Sequence, residues 1–222
     1  MVKGIEKFKE FFKGFEDSYV IIGGTACEIH EELYAQTPRA TKDIDIILVV
    51  EALSHEFVSR FWELVKAAGY EQRNIGTSEG NQHKHEYYRF MKPASMEFPY
   101  QIELFSRNIG LLDFPEDAHI TPIPTDDDLS SLSAILMDDG YYNFTIKHSY
   151  VESLICLKCK AFLEMSDRKA KGEQVDSKHI QKHKKDVFRL AAMLAPSDSF
   201  EDVPQTLKDD VSHFCDEVKD EL

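Results

Sequence analysis

"YVIIGGTACEIHEELYAQTPRATKDIDIIL", Tyr19 to Leu48, places two aspartates, Asp43 and Asp45, around one isoleucine at the head of an apolar run. Side chains alternate faces along a strand, so the two carboxylates share a face about 7 Å apart while Ile44 and Ile46 take the other. Two like charges beside a core are costly unless something compensates them. A divalent cation does so: Mg²⁺ takes one or two carboxylates and completes its shell with phosphate oxygens and water. Upstream, the short apolar strand YVII ends in Gly23-Gly24, and a helical segment follows. Glycines at such a junction let backbone N–H groups approach a phosphate, and the helix N-terminus favours an anion. Thr25 adds a hydroxyl at the same place.

A third carboxylate stands in a similar setting. In "YQIELF", Glu103 lies between Ile102 and Leu104, a charge inside a strand pattern. If that strand neighbours the Asp43 strand, the three carboxylates form a set able to hold two cations about 3.5–4 Å apart, as phosphoryl transfer requires. The reading therefore makes a geometric demand: the two strands are adjacent, and the acids converge in front of the glycines. Singly, each feature has a plainer explanation. Asp-x-Asp occurs by chance at strand ends, Gly-Gly is usually a turn, and Glu103 alone fits an exposed edge. Their joint order and apolar flanks carry the weight.

The rest of the chain bounds the class. Its 222 residues suit one large domain or two small ones, and 42% hydrophobic residues suffice for a core. The formal net charge of −14 excludes nonspecific nucleic-acid binding over most of the surface. No apolar run approaches the ~20 residues of a membrane span, and no secretory leader is recognisable. With four unevenly spaced cysteines this points to a cytoplasmic, reducing compartment and no membrane. Helical spacing of Ile5, Phe8, Phe11, Phe12 and Phe15 predicts a helix over 3–16, and a second covers 53–68, closed by Gly69. "EYYRFM" and "YQIELFS" read as strands, and "NIGTSEGNQHK" ahead of them as a polar loop. Residues 113–125 read as a crossover, and 128–151 as a short helix followed by a hairpin or strand. Three helices follow, in "YVESLICLKCKAFLEM", "HIQKHKKDVFRLAAML" and "VPQTLKDDVSHFCDEV". The expected class is α+β with an α/β-like N-terminal half: a mixed sheet flanked by helices over 1–125, then a mostly helical domain over 126–222.

Gly-Gly at a strand–helix junction, Asp-x-Asp heading the next strand and an isolated later carboxylate together resemble the nucleotidyltransferase superfamily of polymerase-β type. The finer string "IIGGTA…RATKDIDI" is similar to the AbiEii-type branch, the toxin half of abortive-infection toxin–antitoxin pairs. That branch carries a later helix L-x-x-x-K-x-x-A, matched here by "LICLKCKA" with Lys158 and Ala161. A basic–Asp–apolar segment follows, matched by "KKDVFRL" with Lys185 and Asp186. The resemblance spans roughly residues 18–194. It departs at Arg189, where the branch often has an aspartate, and in the longer segment between the two C-terminal helices.

What the resemblance implies is an enzyme that moves a nucleoside monophosphate from an NTP to an acceptor hydroxyl with Mg²⁺ or Mn²⁺. Asp43, Asp45 and Glu103 would be the metal ligands, with Glu103 also serving at the acceptor side. Gly23, Gly24 and Thr25 would cradle the phosphates, Arg39, Lys158 and Lys185 would contact the nucleotide, and Asp186 would orient or activate the acceptor. An RNA acceptor, such as a tRNA 3′ end, and an antitoxin protein are the implied partners. The residues themselves leave Lys158 either reaching the triphosphate or solvated, and Asp186 either a base or the partner of Lys182. Two other functions stay open: a small-molecule nucleotidyltransferase of aminoglycoside type, which net acidity suits, and a catalytically silent nucleotide-binding or interaction module. The stretch from Lys158 to Lys185 is net +5 against −19 for the remainder, a basic strip able to hold nucleotide or RNA phosphates. Cys156, Cys159, His179 and His183 imitate a zinc set, but 19 residues separate the pairs and the cysteines lie within a helix pattern, which favours core thiols. The "HKH" at 83–85 is assigned no role.

Overall fold

A computed structural model describes residues 2–49, 52–74, 88–106, 123–124, 150–198, 200–201 and 203–221. Among the described residues the strands are β1 (Tyr19–Ile22), β2 (Asp43–Leu48), β3 (Glu71–Asn74), β4 (Tyr88–Met91), β5 (Gln101–Ser106) and β6 (Ile123–Pro124). They form one sheet in the order β1-β2-β5-β4-β3, with β6 also pairing with β5. β2 and β6 run parallel to β5, and the other pairings are antiparallel. The fold is therefore α+β with a mixed sheet, as the sequence predicts. β3 is an addition to the expected elements: its polar "EQRN" lacks strand composition and is held as the edge partner of β4.

The alternation along β2 divides the molecule into layers. Ile44, Ile46 and Leu48 point into the main core with Ile102, Leu104 and Phe90. That side is covered by α1 (Ile5–Phe12) and α3 (His55–Ala68). Phe8, Phe12, Tyr19, Phe57, Phe61 and Phe90 interlock there, with ring centroids from 4.6 Å for Phe8–Phe12 to 6.4 Å for Tyr19–Phe57. Aromatic burial of this kind stabilises through area and edge-to-face geometry together. α3 begins where the Ser54 side chain accepts from the Phe57 N–H at 3.1 Å, and ends at Gly69, whose φ of 63° is left-handed. α1 is shorter than the predicted 3–16, because Gly4 (φ 88°) and Gly14 (φ 89°) interrupt the helix on either side.

On the opposite face Val20, Ile22 and Ile47 pack with Phe105 and with Leu157 of α4 (Val151–Ala170). α2 (Gly23–Leu33) packs against β1, β2 and this helix and is buried from Gly24 through Glu31. α5 (Ser177–Ala191) and α6 (Gln205–Val218) complete the helical part, with Phe162 of α4 edge-on to Phe214 of α6 at 5.1 Å. α5 is capped by Asp176, whose side chain accepts from the Lys178 N–H at 2.9 Å. One continuous apolar core joins the sheet to these helices, running from Val2 to Val218. Among the described residues no helix is long and apolar enough to cross a membrane. Outside the described residues lie the predicted loop from Ile75 onward with its "HKH", most of 113–125 and of the 128–151 segment, and the expected boundary at 125–126.

Candidate active site

The strand register meets the first part of the demand that the sequence raised, that the two strands be neighbours. β2 and β5 are adjacent and parallel, with Asp45 opposite Glu103 and Asp43 opposite Gln101. Neighbouring strands lie about 4.8 Å apart, so Asp45 and Glu103 stand side by side on one face, with Asp43 two residues along it. This is the face toward α4, since it continues into Ile47 and Phe105.

Gly23 belongs to the same site. Ile22 is opposite Asp45 across β1–β2, and the chain then turns through Gly23 at φ 68°. A Cβ there would meet the Asp45 carboxylate, with Cγ at 2.9 Å and Oδ2 closer still. At Gly24 a Cβ would come 2.8 Å from the Thr41 hydroxyl and 3.7 Å from the Arg39 guanidinium. The glycines thus allow the first turn of α2 to close against Asp45 and the 39–41 segment. That corrects the expected open cradle. Gly24 is buried, and only Gly23 stays partly exposed. Thr25 is also corrected. It is fully buried, and its hydroxyl donates to the Asp43 carbonyl at 2.7 Å, so it anchors β2 and has no free hydroxyl to give a phosphate.

Electrostatics single out Asp45. Burial, then the Glu103 carboxylate, push its pKa from 3.8 up to about 6; Asp43 adds to this, and Lys158 and Lys182 oppose it. Glu103 is mostly buried and has its own partners. The Arg89 Nε lies 2.7 Å from Glu103 Oε1, and the Gln101 amide donates to the same oxygen.

Lys158 and Asp186 meet beneath the site. Both are buried, and Lys158 Nζ lies 3.3 Å from Asp186 Oδ2. Arg39 grips the other side of that carboxylate: Nε donates to Oδ1 and Nη2 to Oδ2, both at 3.2 Å. Lys158 is therefore not a solvated lysine. Asp186 pairs with Arg39 and Lys158, not with Lys182. A carboxylate buried between two cations is poorly placed as a base, which corrects the acceptor-activating role and makes Asp186 the organiser of two cations. The departure at Arg189 has a structural account. Its guanidinium donates to Glu31 of α2 and to the Thr37 carbonyl, while Glu31 also accepts from the Arg39 N–H at 2.8 Å. Arg189 thus fixes α5 and the loop that carries Arg39.

Beside this cluster opens a cavity of about 320 Å³ lined by Arg39, Lys178, Gln181, Lys182, Lys185, Asp186 and Arg189. Lys178, Lys182 and Lys185 follow helical spacing on one face of α5. Burial, then Arg39 and Lys158, lower the Lys182 pKa. His183 is pushed from 6.5 down to about 4, first by burial and then by Lys158 and Lys182, so its imidazole is neutral at neutral pH. The basic strip of the sequence is therefore a concave positive surface within electrostatic reach of Asp45. The zinc-like cysteines lie elsewhere. Cys156 packs with Val203 and Leu207, and burial raises its thiol to about 12.

The donor set fits a hard divalent cation completed by substrate: oxygen ligands on one face, with a carboxyl destabilised by its own neighbours. It is not a closed cage. Among the described residues no three His, Cys, Asp or Glu side chains are gathered tightly enough to hold an ion alone. Sequence reasoning missed Arg89 and Gln101, and it named Lys182 only as an alternative partner of Asp186. Comparison of the chain with protein-family models, curated proteins and solved structures finds no match.

Proposed function

We propose that the protein is a metal-dependent nucleotidyltransferase that moves a nucleoside monophosphate from an NTP to an acceptor hydroxyl. The observation that carries the reading is the pairing of Asp45 with Glu103 in register, with Gly23 turning against the Asp45 carboxylate. The basic cavity beside it supports a phosphate-rich substrate.

In this reading Asp43 and Asp45 hold the cation, with Glu103 at the acceptor side. When bound, Mg²⁺ neutralises phosphate charge and polarises the phosphoryl oxygens. Lys158 and Arg39, fixed by Asp186, present positive charge where pyrophosphate departs. The acceptor oxygen bonds to the α-phosphorus as the bond to the α–β bridging oxygen breaks, and pyrophosphate leaves. The hydroxyl proton passes to a carboxylate of the cluster. The chain contributes positioning and electrostatic stabilisation, which dominate phosphoryl transfer.

The lysines that line the cavity favour RNA over a polycationic small molecule as acceptor, because a cationic ligand would be repelled from that wall. α-Labelled NTPs incubated with Mg²⁺ and either total RNA or aminoglycosides test this. Label in RNA supports the reading, label in the aminoglycoside moves the acceptor to the small-molecule class, and label in neither overturns transfer to either.

A further inference from the structure

The three carboxylates are not left bare in the protein as it stands. Lys158 and Arg39 are committed to Asp186. Among the described residues the cation within ion-pair distance of the cluster is Arg89, which no motif pointed to. The β4–β5 register sets Arg89 opposite Glu103, on the face that carries Asp45. Its Nε lies 2.7 Å from Glu103 Oε1, yet the N–H is not aligned as a hydrogen bond, and the Gln101 amide donates to that oxygen instead. The Arg89 side chain is 34% exposed and that of Glu103 14%. The Nε atom is itself buried, but the side chain reaches solvent elsewhere along its length, which gives the guanidinium a way out while the carboxylate stays in place.

We propose that Arg89 is a positioning residue that acts through Glu103: it is the internal counter-ion of the carboxylate cluster and is displaced when a divalent cation binds. This rests on the cation-binding part of the nucleotidyltransferase reading. Without Arg89, three acids share one face with no cation in ion-pair contact among the described residues, and Lys158 and Lys182 act on Asp45 only from farther away. With it, Glu103 is neutralised and held by Gln101 in the place it occupies when the cation arrives. Cation and guanidinium then compete for the same carboxylate, so Arg89 sets the metal affinity of the carboxylate cluster.

Mn²⁺ titration followed by electron paramagnetic resonance, with thermal melting of the metal-free protein, tests this on Arg89→Gln, Glu103→Gln and the double variant. Arg89→Gln is expected to bind Mn²⁺ roughly two- to fivefold more tightly, the factor that releasing one partly exposed ion pair provides. It should melt lower than wild type without metal and recover with Mn²⁺, whereas a purely structural role would lower both melts equally. In the Glu103→Gln background the same substitution should leave Mn²⁺ affinity unchanged. Arg89→Lys, the safer variant for folding, should show a smaller gain in the same direction. Wild type that binds Mn²⁺ with an affinity unmoved by Arg89→Gln or Arg89→Lys would overturn the Arg89 inference alone. So would an equal gain in the Glu103→Gln background. Absence of Mn²⁺ binding in every form would overturn the cation site and the inference together.

Discussion

Replacing Asp45 with asparagine should make the metal-free protein more stable at neutral pH. The Asp45 carboxyl is raised from 3.8 to about 6 by burial, Glu103 and Asp43, against the pull of Lys158 and Lys182. A folded-state pKa above the unfolded one means that folding disfavours the ionised form. The penalty is absent below pH 3.8, grows between 3.8 and about 6, and is complete above that. Each pH unit separating the folded and unfolded values corresponds to about 1.36 kcal/mol, so the ceiling is roughly 3 kcal/mol, and sharing with Glu103 makes about 2 kcal/mol the working figure. For a chain of this size about 2 kcal/mol is roughly 4–8 °C in Tm. Asparagine keeps the shape and removes the charge. Melting curves of wild type and Asp45→Asn from about pH 3.5 to 8 should diverge as pH rises toward 6 and converge near pH 4, the range that the two pKa values bracket. Saturating Mg²⁺ should raise the wild-type Tm and leave the variant unchanged. Equal Tm values at about pH 7.5, or a gap that persists at about pH 3.5, would refute the electrostatic account of Asp45.

Asp186→Asn should cost about 3 kcal/mol in urea denaturation, because buried Lys158 loses its counter-charge while the more exposed Arg39 can turn to water. Lys158→Met with Asp186→Leu should recover most of that, and a loss under about 1 kcal/mol for the single variant would contradict the triad. Gly23→Ala should lose about 2 kcal/mol by the same assay, from left-handed strain plus collision with Asp45, and should abolish Mn²⁺ binding. Gly69→Ala, with a similar φ far from the site, should lose stability with Mn²⁺ affinity unchanged.

The parts of the fold legible in the sequence are those written in period and punctuation. The alternation of "DIDIIL" and "QIELFS" places the carboxylates on one face, and Gly69 marks the end of α3. What the sequence does not supply is pairing across distance. Asp186 reads as a lone acid in "KKDVF" until Arg39, 147 positions away, closes on it. Arg89 is one charge in a short strand, and only the antiparallel β4–β5 register brings it to Glu103. Gly23-Gly24 points to the right place, but not to the reason, since Asp45 and Thr41 fill the space that the missing side chains leave. Thr25 shows the same limit: a hydroxyl at a helix start serves a ligand or a neighbouring carbonyl, and burial decides which.

The most direct test of the central claim is Mg²⁺-dependent pyrophosphate release from the four NTPs in the presence of total RNA, comparing wild type with Asp45→Ala and Glu103→Ala. The account predicts release from at least one NTP by wild type, stopped by chelation and lost in both variants. Release that survives in Asp45→Ala, or its absence with every NTP, would contradict a nucleotidyl-transfer site built on Asp43, Asp45 and Glu103.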